Sequence, residues 1–252
     1  MDGLKIAMVG YLNTLPFEYG LKQITSKYNL KLLLDVPSKC AQYFKDGEAD
    51  LALVPIGVLP ELHDYEICLD YCIGCDGPVR TVGLFSNSPV SSWHTVYLDE
   101  HSRTSRVLSQ IILEEEYQLQ PTYKNQRISQ LDQLGDGEAV LMIGDKVFRE
   151  GNKYDVAIDL GAAWKEATNL PFVFALWVKK KSVLINEMVL NQALSNGMEK
   201  IPALIKAHAP SSILSEEEVD AYINKNLKYQ LFPPYKAAVE LFLKKMKTKD
   251  WF

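Results

Sequence analysis

No stretch of the 252 residues approaches the roughly 18 consecutive apolar positions that a membrane-spanning helix needs. Cysteine is scarce: Cys40, Cys68, Cys72 and Cys75 are too few to staple a chain of this length, which excludes a disulfide scaffold. The four histidines, His63, His94, His101 and His208, are scattered without metal-ligand spacing. Also missing are a phosphate-binding P-loop, a Gly-x-Gly-x-x-Gly turn after a strand, a His-Glu-x-x-His helix and a Gly-x-Ser-x-Gly elbow. Nor is there a basic surplus. The 27 Lys and Arg against 32 Asp and Glu leave a net charge of −5, which argues against a nucleic-acid partner. The opening residues lack the basic flank and apolar core of a secretion signal, so a cytoplasmic location and no membrane partner are expected.

What is present is an ordinary globular composition, 47% hydrophobic and 23% charged, enough for one large domain or two small ones packed together. Short apolar runs alternate with amphipathic segments. Leu4–Val9, Leu30–Leu34 and Leu51–Val54 read as strands, the third apolar throughout, as burial on both faces requires. Pro16 suits the first turn of a helix, and a second helix over Pro37–Lys45 is stopped by Gly47. Further on, Val82–Phe85, Thr95–Leu98, Ala139–Ile143, Val156–Ile158 and Phe172–Val178 read as strands, with helices over Ser102–Glu115 and near Gly161–Thr168. After residue 181 only helices are expected, with a break around Ala209–Ser212 and a last helix after Pro234.

This alternation predicts an α/β fold with a largely parallel sheet, and ligands then gather in loops at the carboxyl ends of strands. Those loops are Gly10–Thr14, Pro55–Val58, Ser86–Pro89, Asp99–Thr104 and Gly144–Asp145. In the first, Asn13 either meets a ligand or folds the turn through its own backbone. In the fourth, Ser102-Arg103-Thr104-Ser105 opens a helix. Free amides, hydroxyls and an arginine there suit an anion, although Ser102 as a simple cap explains the same residues. His101 sits beside that loop.

Cys68-x3-Cys72-x2-Cys75 has the ligand spacing of a radical S-adenosylmethionine iron–sulfur motif. Cys68 and Cys72, however, are embedded in the strand-like run Glu66–Ile73, where they share a face while Cys75 points the other way. Buried cysteine acting as a small hydrophobe is the better explanation.

The blocks Gly10-Tyr11-Leu12-Asn13-Thr14-Leu15-Pro16-Phe17, Gly47–Pro55, Gly77-Pro78-Val79-Arg80-Thr81-Val82, Leu84-Phe85-Ser86, Leu98-Asp99 with Ser102–Ser105, Ile143-Gly144-Asp145, Asp159-Leu160-Gly161 with Trp164, and Leu170–Ala175 occur in this order. Together they resemble the chorismate dehydratase family of the futalosine-dependent menaquinone route, over most of the chain. Ile56 after Pro55 departs from the hydroxyl that relatives could carry there, so that loop is expected to offer backbone groups only. A sister family making 1,4-dihydroxy-6-naphthoate opens with a Ser-Pro-Asp-Pro-like stretch rather than Tyr-Leu-Asn.

The resemblance implies a type II periplasmic-binding-protein-like fold of two α/β lobes with two hinge crossings and a helical C-terminal tail. Residues 1–86 and 178–252 would form lobe one and 87–177 lobe two, with crossings near Phe85–Pro89 and Phe174–Lys179 and the ligand in the cleft. The implied activity is that of a carbon–oxygen lyase: loss of water from chorismate, driven by aromatisation and requiring no redox or metal cofactor. Asn13 and Ser86 would be catalytic. Tyr11, Arg80, Asn87, Ser102, Arg103, Thr104, Ser105 and Gly144 would bind the dianionic substrate. The rivals are the naphthoate enzyme and a cytosolic binding or sensor protein of the same fold that releases its ligand unchanged. The terminal lysines Lys244, Lys245, Lys247 and Lys249 read as a solvated helix face rather than a membrane contact.

Overall fold

The computed structural model describes residues 3–99, 102–126, 133–208 and 213–248. In chain order the first elements are β1 (Leu4–Val9), α1 (Leu15–Lys22), α2 (Thr25–Tyr28), β2 (Leu30–Asp35), α3 (Pro37–Lys45), β3 (Leu51–Pro55) and β4 (Tyr65–Cys75). There follow β5 (Val82–Ser86), β6 (Thr95–Leu98), α4 (Arg103–Ile111), β7 (Thr122–Asn125), β8 (Glu138–Ile143), α5 (Asp145–Glu150), β9 (Val156–Asp159) and α6 (Leu160–Thr168). The remainder is β10 (Phe172–Lys180), α7 (Glu187–Met198), α8 (Ile201–His208), α9 (Glu216–Asp220), β11 (Leu227–Gln230) and α10 (Pro233–Lys247). Two compact units result: Met1–Gly74 with Val173–Phe232, and Cys75–Phe172 with Pro233–Phe252.

The first unit carries a six-stranded sheet in the order β11-β4-β10-β3-β1-β2. β1 runs parallel to β2 and β3, whereas β10 is antiparallel to β3. Leu51–Val54 are all buried, as their unbroken apolar run predicted. α3 starts on Pro37 and ends before Gly47, whose φ of 75° is the left-handed conformation that glycine adopts freely past a helix end. Phe17 of α1 anchors the core against Tyr71, Trp177 and Tyr229, with ring centroids 5.4–6.0 Å away.

The second unit carries a five-stranded sheet in the order β7-β6-β8-β5-β9. β6 is parallel to β7 and β8, and β5 is antiparallel to both β8 and β9. Its core includes Trp164, whose indole N–H donates to the Pro171 carbonyl at 3.0 Å. Phe172 and Phe242 pack edge-on against Trp164 and against each other.

Several expectations need correction. The sheets are mixed rather than largely parallel, because β5 and β10 reverse direction. Strands do not stop at residue 181: β11 forms an edge of the first sheet, and β7 was not anticipated either. The chain changes unit at 74/75, 172/173 and 232/233: the second change comes directly before the expected crossing at Phe174–Lys179, the first comes ahead of Phe85–Pro89, and the third was not expected. Residues 82–86 belong to the second unit because β5 bonds β8 and β9. The terminal helix α10 also belongs there, through Phe242 and the ion pair of Lys245 with Glu115. The proposed break at Ala209–Ser212 lies outside the described residues, as does Lys249.

Within β4, Leu69 takes a φ of 59° and lies beside Cys68 in a consecutive buried pair. The bulge breaks the strict alternation on which the facing of Cys68 and Cys72 was argued. All four cysteines are buried and none is in a disulfide, and burial pushes the thiols of Cys40, Cys68 and Cys72 up to about 12. Among the described residues no three His, Cys, Asp or Glu side chains converge as a metal site. A disulfide-exchange reagent at neutral pH is therefore expected to titrate no thiol in the native protein and all four after denaturation. One fast native thiol would contradict this burial.

α1 and α7 cross at two glycines. A Cβ on Gly20 would lie 1.9 Å from the Ala193 carbonyl oxygen, and one on Gly197 would lie 1.9 Å from that of Pro16. Both obstacles are backbone, so no rotamer change relieves them. Gly20→Ala or Gly197→Ala should each cost about 3 kcal/mol by forcing the helices apart, read as a lowered denaturant midpoint. A shift near zero would show that the crossing is looser than described.

Candidate functional site

In the first unit the carboxyl end of β1 leads through Gly10 and Tyr11 into a single 3-10 turn, Leu12–Thr14, and then directly into α1. Thr14 holds this loop. Its buried hydroxyl donates to the Val9 carbonyl at 2.6 Å and accepts from the Tyr11 N–H at 3.2 Å. The tie leaves Tyr11 41% exposed and turns Asn13 inward. The Asn13 Oδ1 is buried and has no hydrogen-bond partner among the described residues. A buried acceptor left unmet costs about 1–3 kcal/mol, so this atom does not fold the turn, and a ligand donor would relieve it. Ile56, at the end of β3, is fully buried and offers no polar side chain, in line with a backbone-only loop.

In the second unit strand direction decides which loops meet. The carboxyl ends of β6, β8 and β9 and the amino end of antiparallel β5 share one edge of the sheet. That edge gathers Arg80, Thr81, Asp99, Ser102–Ser105, Gly144 and Asp159. Ser102, Thr104 and Ser105 are buried, and Arg103 is half-buried. The Ser102 side chain makes no capping bond to α4. By contrast, Asp159, Asn186 and Ser215 cap α6, α7 and α9 with their side chains. A helix start without its side-chain cap suits an anion. Gly144 has a φ of 66° and a ψ of −150°, a region reserved for glycine, and its N–H donates to the Thr81 carbonyl at 2.7 Å. Lys146 lies 3.5 Å from the buried Asp99 carboxylate.

Arg80 is exposed, and its guanidinium lies 5.8 Å from the centroid of the Phe148 ring on α5. Its backbone is left-handed, with a φ of 65°. Asp159 holds that conformation by accepting the N–H groups of Val79 (3.1 Å) and Arg80 (2.7 Å), in addition to capping α6 through Gly161 and Ala162.

Ser86 and Asn87 are not at this edge. β5 runs antiparallel to its neighbours, so its end lies roughly 13 Å along the strand from its start. Ser86 there pairs with Val156, the first residue of β9. Its hydroxyl is fully buried, donates to the Glu138 carbonyl at 2.7 Å and accepts from the Ser88 N–H at 2.9 Å. Asn87 is exposed and accepts from the Asp155 N–H at 3.3 Å. Glu138 anchors the same end, where the Gly135 N–H and the Tyr97 hydroxyl hold its carboxyl below the usual carboxylate range. The expectation that Ser86 and Asn87 join Ser102–Ser105 and Gly144 is thus corrected: they close the opposite end of the sheet.

Two residues not singled out from the sequence lie at the edge that carries Ser102–Ser105 and Gly144. Thr81, 4% exposed, immediately precedes β5, and Asp159 ends β9. The signal was present in Gly77-Pro78-Val79-Arg80-Thr81, a turn entering a strand, but the rule applied looked only at strand ends. His101 lies outside the described residues.

A family model described as menaquinone biosynthesis matches residues 4–248. The chain belongs to this menaquinone biosynthesis family. It is similar to the chorismate dehydratase of Thermus thermophilus, at 24% identity over 265 residues, covering 92% of this chain and 91% of the relative. Among solved structures it resembles the alkanesulfonate-binding protein SsuA from Xanthomonas axonopodis pv. citri bound to MOPS. The TM-score there is 0.67 and the identity 11%, over 100% of this chain and 96% of that one. It also resembles the Candida albicans CA3427 product, described as having the generic periplasmic binding protein fold, with a TM-score of 0.57 and 12% identity over 98% and 95%. These likenesses show the fold, an α/β protein with two sheets of the periplasmic-binding-protein type. No helix among the described residues is long and apolar enough to cross a membrane.

For this member of the family, Ser86→Ala should cost stability, about 1–3 kcal/mol, because the buried Ser88 N–H and Glu138 carbonyl lose their shared partner. Thermal melts and steady-state rates of the variant separate the two roles: a lowered midpoint with an intact kcat is expected. An unchanged midpoint with a collapsed kcat would return Ser86 to the reacting groups.

Proposed function

We propose that this chain is a chorismate dehydratase, a carbon–oxygen lyase that converts chorismate to 3-(1-carboxyvinyloxy)benzoate on the futalosine-dependent route to menaquinone. The observation that carries this reading is the end-to-end similarity to a chorismate dehydratase within the family matched over residues 4–248. The Asn13 Oδ1, unmet among the described residues, and the absence of a Ser102 side-chain cap bond to α4 support it, because chorismate brings a hydroxyl donor and two carboxylates.

In the reaction a base removes the C3 proton, and the C3–H electron pair becomes a ring double bond. The C4–O bond breaks, and the departing hydroxide becomes water by taking up the proton that the base removed from C3. Aromatisation supplies the driving force. The substrate's own enolpyruvyl carboxylate serves as the base, since it reaches C3 within the same molecule. Correct positioning of such an intramolecular group is worth about 7–11 kcal/mol. Asn13 Oδ1 accepts a hydrogen bond from the C4 hydroxyl, which relieves its own desolvation and orients the leaving group. The first-turn amides of α4, with Ser102, Thr104 and Ser105, take a carboxylate. Arg103 and Arg80 add positive charge, Tyr11 and Gly144 line the loops, and the Thr81 hydroxyl fills the role first expected of Ser86. Asp145, in the first turn of α5, is a poorer base because a second anion beside a dianionic substrate is repelled.

The test is incubation of the purified protein with chorismate, followed by chromatography and mass spectrometry. A product lighter by one water, with benzoate absorbance, is expected, and Asn13→Ala should lower kcat by about 100-fold. Chorismate recovered intact, with binding seen by calorimetry, would make the protein a carrier or sensor. Neither binding nor turnover would favour the naphthoate-forming reaction.

A further inference from the structure

We propose that Asp159 is a positioning residue for the dehydration, one that holds the entrance to β5 so that Arg80 and Thr81 meet the substrate. The proposal rests on the dehydratase reading and extends it to a residue outside the reacting set. Asp159 is the N-cap of α6, and capping alone occupies only its Oδ1, which accepts from Gly161 N–H at 2.9 Å and Ala162 N–H at 3.0 Å. The same oxygen also takes the Val79 N–H at 3.1 Å, and Oδ2 takes the Arg80 N–H at 2.7 Å. One carboxylate thus gathers four amides from two segments some eighty residues apart.

What it holds is a conformation that the chain would not choose. Arg80 sits at a φ of 65°, where a side chain with a Cβ is disfavoured. Charge-assisted bonds of this kind are about twice as strong as neutral ones and over-determine the turn. Packing confirms the register: a Cβ on Gly161 would lie 2.6 Å from both the Gly77 carbonyl and the Cys75 Sγ, so the segment before Arg80 is pressed onto the first turn of α6. Immediately after the turn, the Thr81 carbonyl receives the Gly144 N–H and Val82 pairs with Ile143. Any rotation at Arg80 is therefore passed to Thr81 and Gly144 together.

Asp159→Ser separates the two duties, since serine caps helices well but is too short to reach Val79 and Arg80. This variant should melt somewhat below the wild type, because the Val79 and Arg80 N–H groups lose their acceptor, and lose about 10-fold or more in kcat, with a smaller change in KM. Residue 80 supplies the decisive comparison. Arg80→Gly and Arg80→Ala both remove the guanidinium, but only glycine accepts a positive φ freely. With Asp159 present the two should have equal kcat; in the Asp159→Ser background the glycine variant should retain several-fold more activity than the alanine variant. Equal loss from glycine and alanine in that background, or an unchanged kcat in Asp159→Ser, would reduce Asp159 to a helix cap.

Amide hydrogen exchange gives a readout independent of turnover. Asp159→Ser should accelerate exchange at Val79 and Arg80 while Gly161 and Ala162 keep their protection. Acceleration spread evenly over both segments, or absent, would overturn the clamp. Should the wild type fail to dehydrate chorismate, the functional reading falls by itself, and the exchange pattern still decides whether the clamp exists. Turnover by the wild type with an indifferent Asp159→Ser would leave that reading standing and remove this one.

Discussion

The direction of one strand governs the second unit. β5 lies between β8 and β9 and is antiparallel to both, so its hydrogen bonds are satisfied only if its start meets their ends. That requirement brings the turn before β5 to the edge where the loops after β6 and β8 and the cap of α6 already lie. It also sends Ser86 to the other edge, where its hydroxyl is consumed by Glu138 and Ser88. The first unit repeats the device, since antiparallel β10 brings Ala175 alongside Pro55 at the carboxyl end of β3. Loops that follow parallel strands and loops that precede antiparallel ones thus share one kind of edge, which is where α/β proteins place ligands.

Within that frame, polar groups that satisfy one another can be separated from those left for a ligand. Thr14, Ser86, Asn87 and Glu138 have partners at hydrogen-bond distance and fix loops. Asn13 Oδ1 has none among the described residues, and the Ser102 side chain makes no cap bond to α4. A native fold tolerates few unmet buried polar atoms. The Asn13 Oδ1 lies just past the carboxyl end of β1, the kind of edge where α/β proteins place ligands.

Much of this was legible in the sequence. The bounds of β1, α3 and β6, the doubly buried β3, the Gly47 stop and the opening of a helix at Ser102–Arg103 follow from apolar period and cap chemistry, and the structure has each. Strand direction was not legible, because an apolar run of five residues has the same pattern whichever way it runs. Hence Ser86 was grouped with loops that it does not meet, and Thr81 was passed over. β11 escaped because its four residues, with only Leu227 and Tyr229 buried, are too few to set a strand apart from the helices around it. The unit to which α10 belongs depends on Phe242 meeting Trp164 and Phe172, a long-range contact with no local signature. Left-handed Arg80 and Leu69 were equally hidden, since neither is a glycine or asparagine that would announce a positive φ.

The central claim is that substrate chemistry gathers at the carboxyl edge of each sheet and not at the Ser86 end. Its most direct test is a titration of isotope-labelled protein with 3-(1-carboxyvinyloxy)benzoate, following backbone amide chemical shifts by NMR. The account predicts ligand-dependent shifts at residues 10–13, 80–82, 102–105 and 144, with 86–88 unmoved. Shifts centred on 86–88, with 102–105 and 144 unmoved, would contradict it.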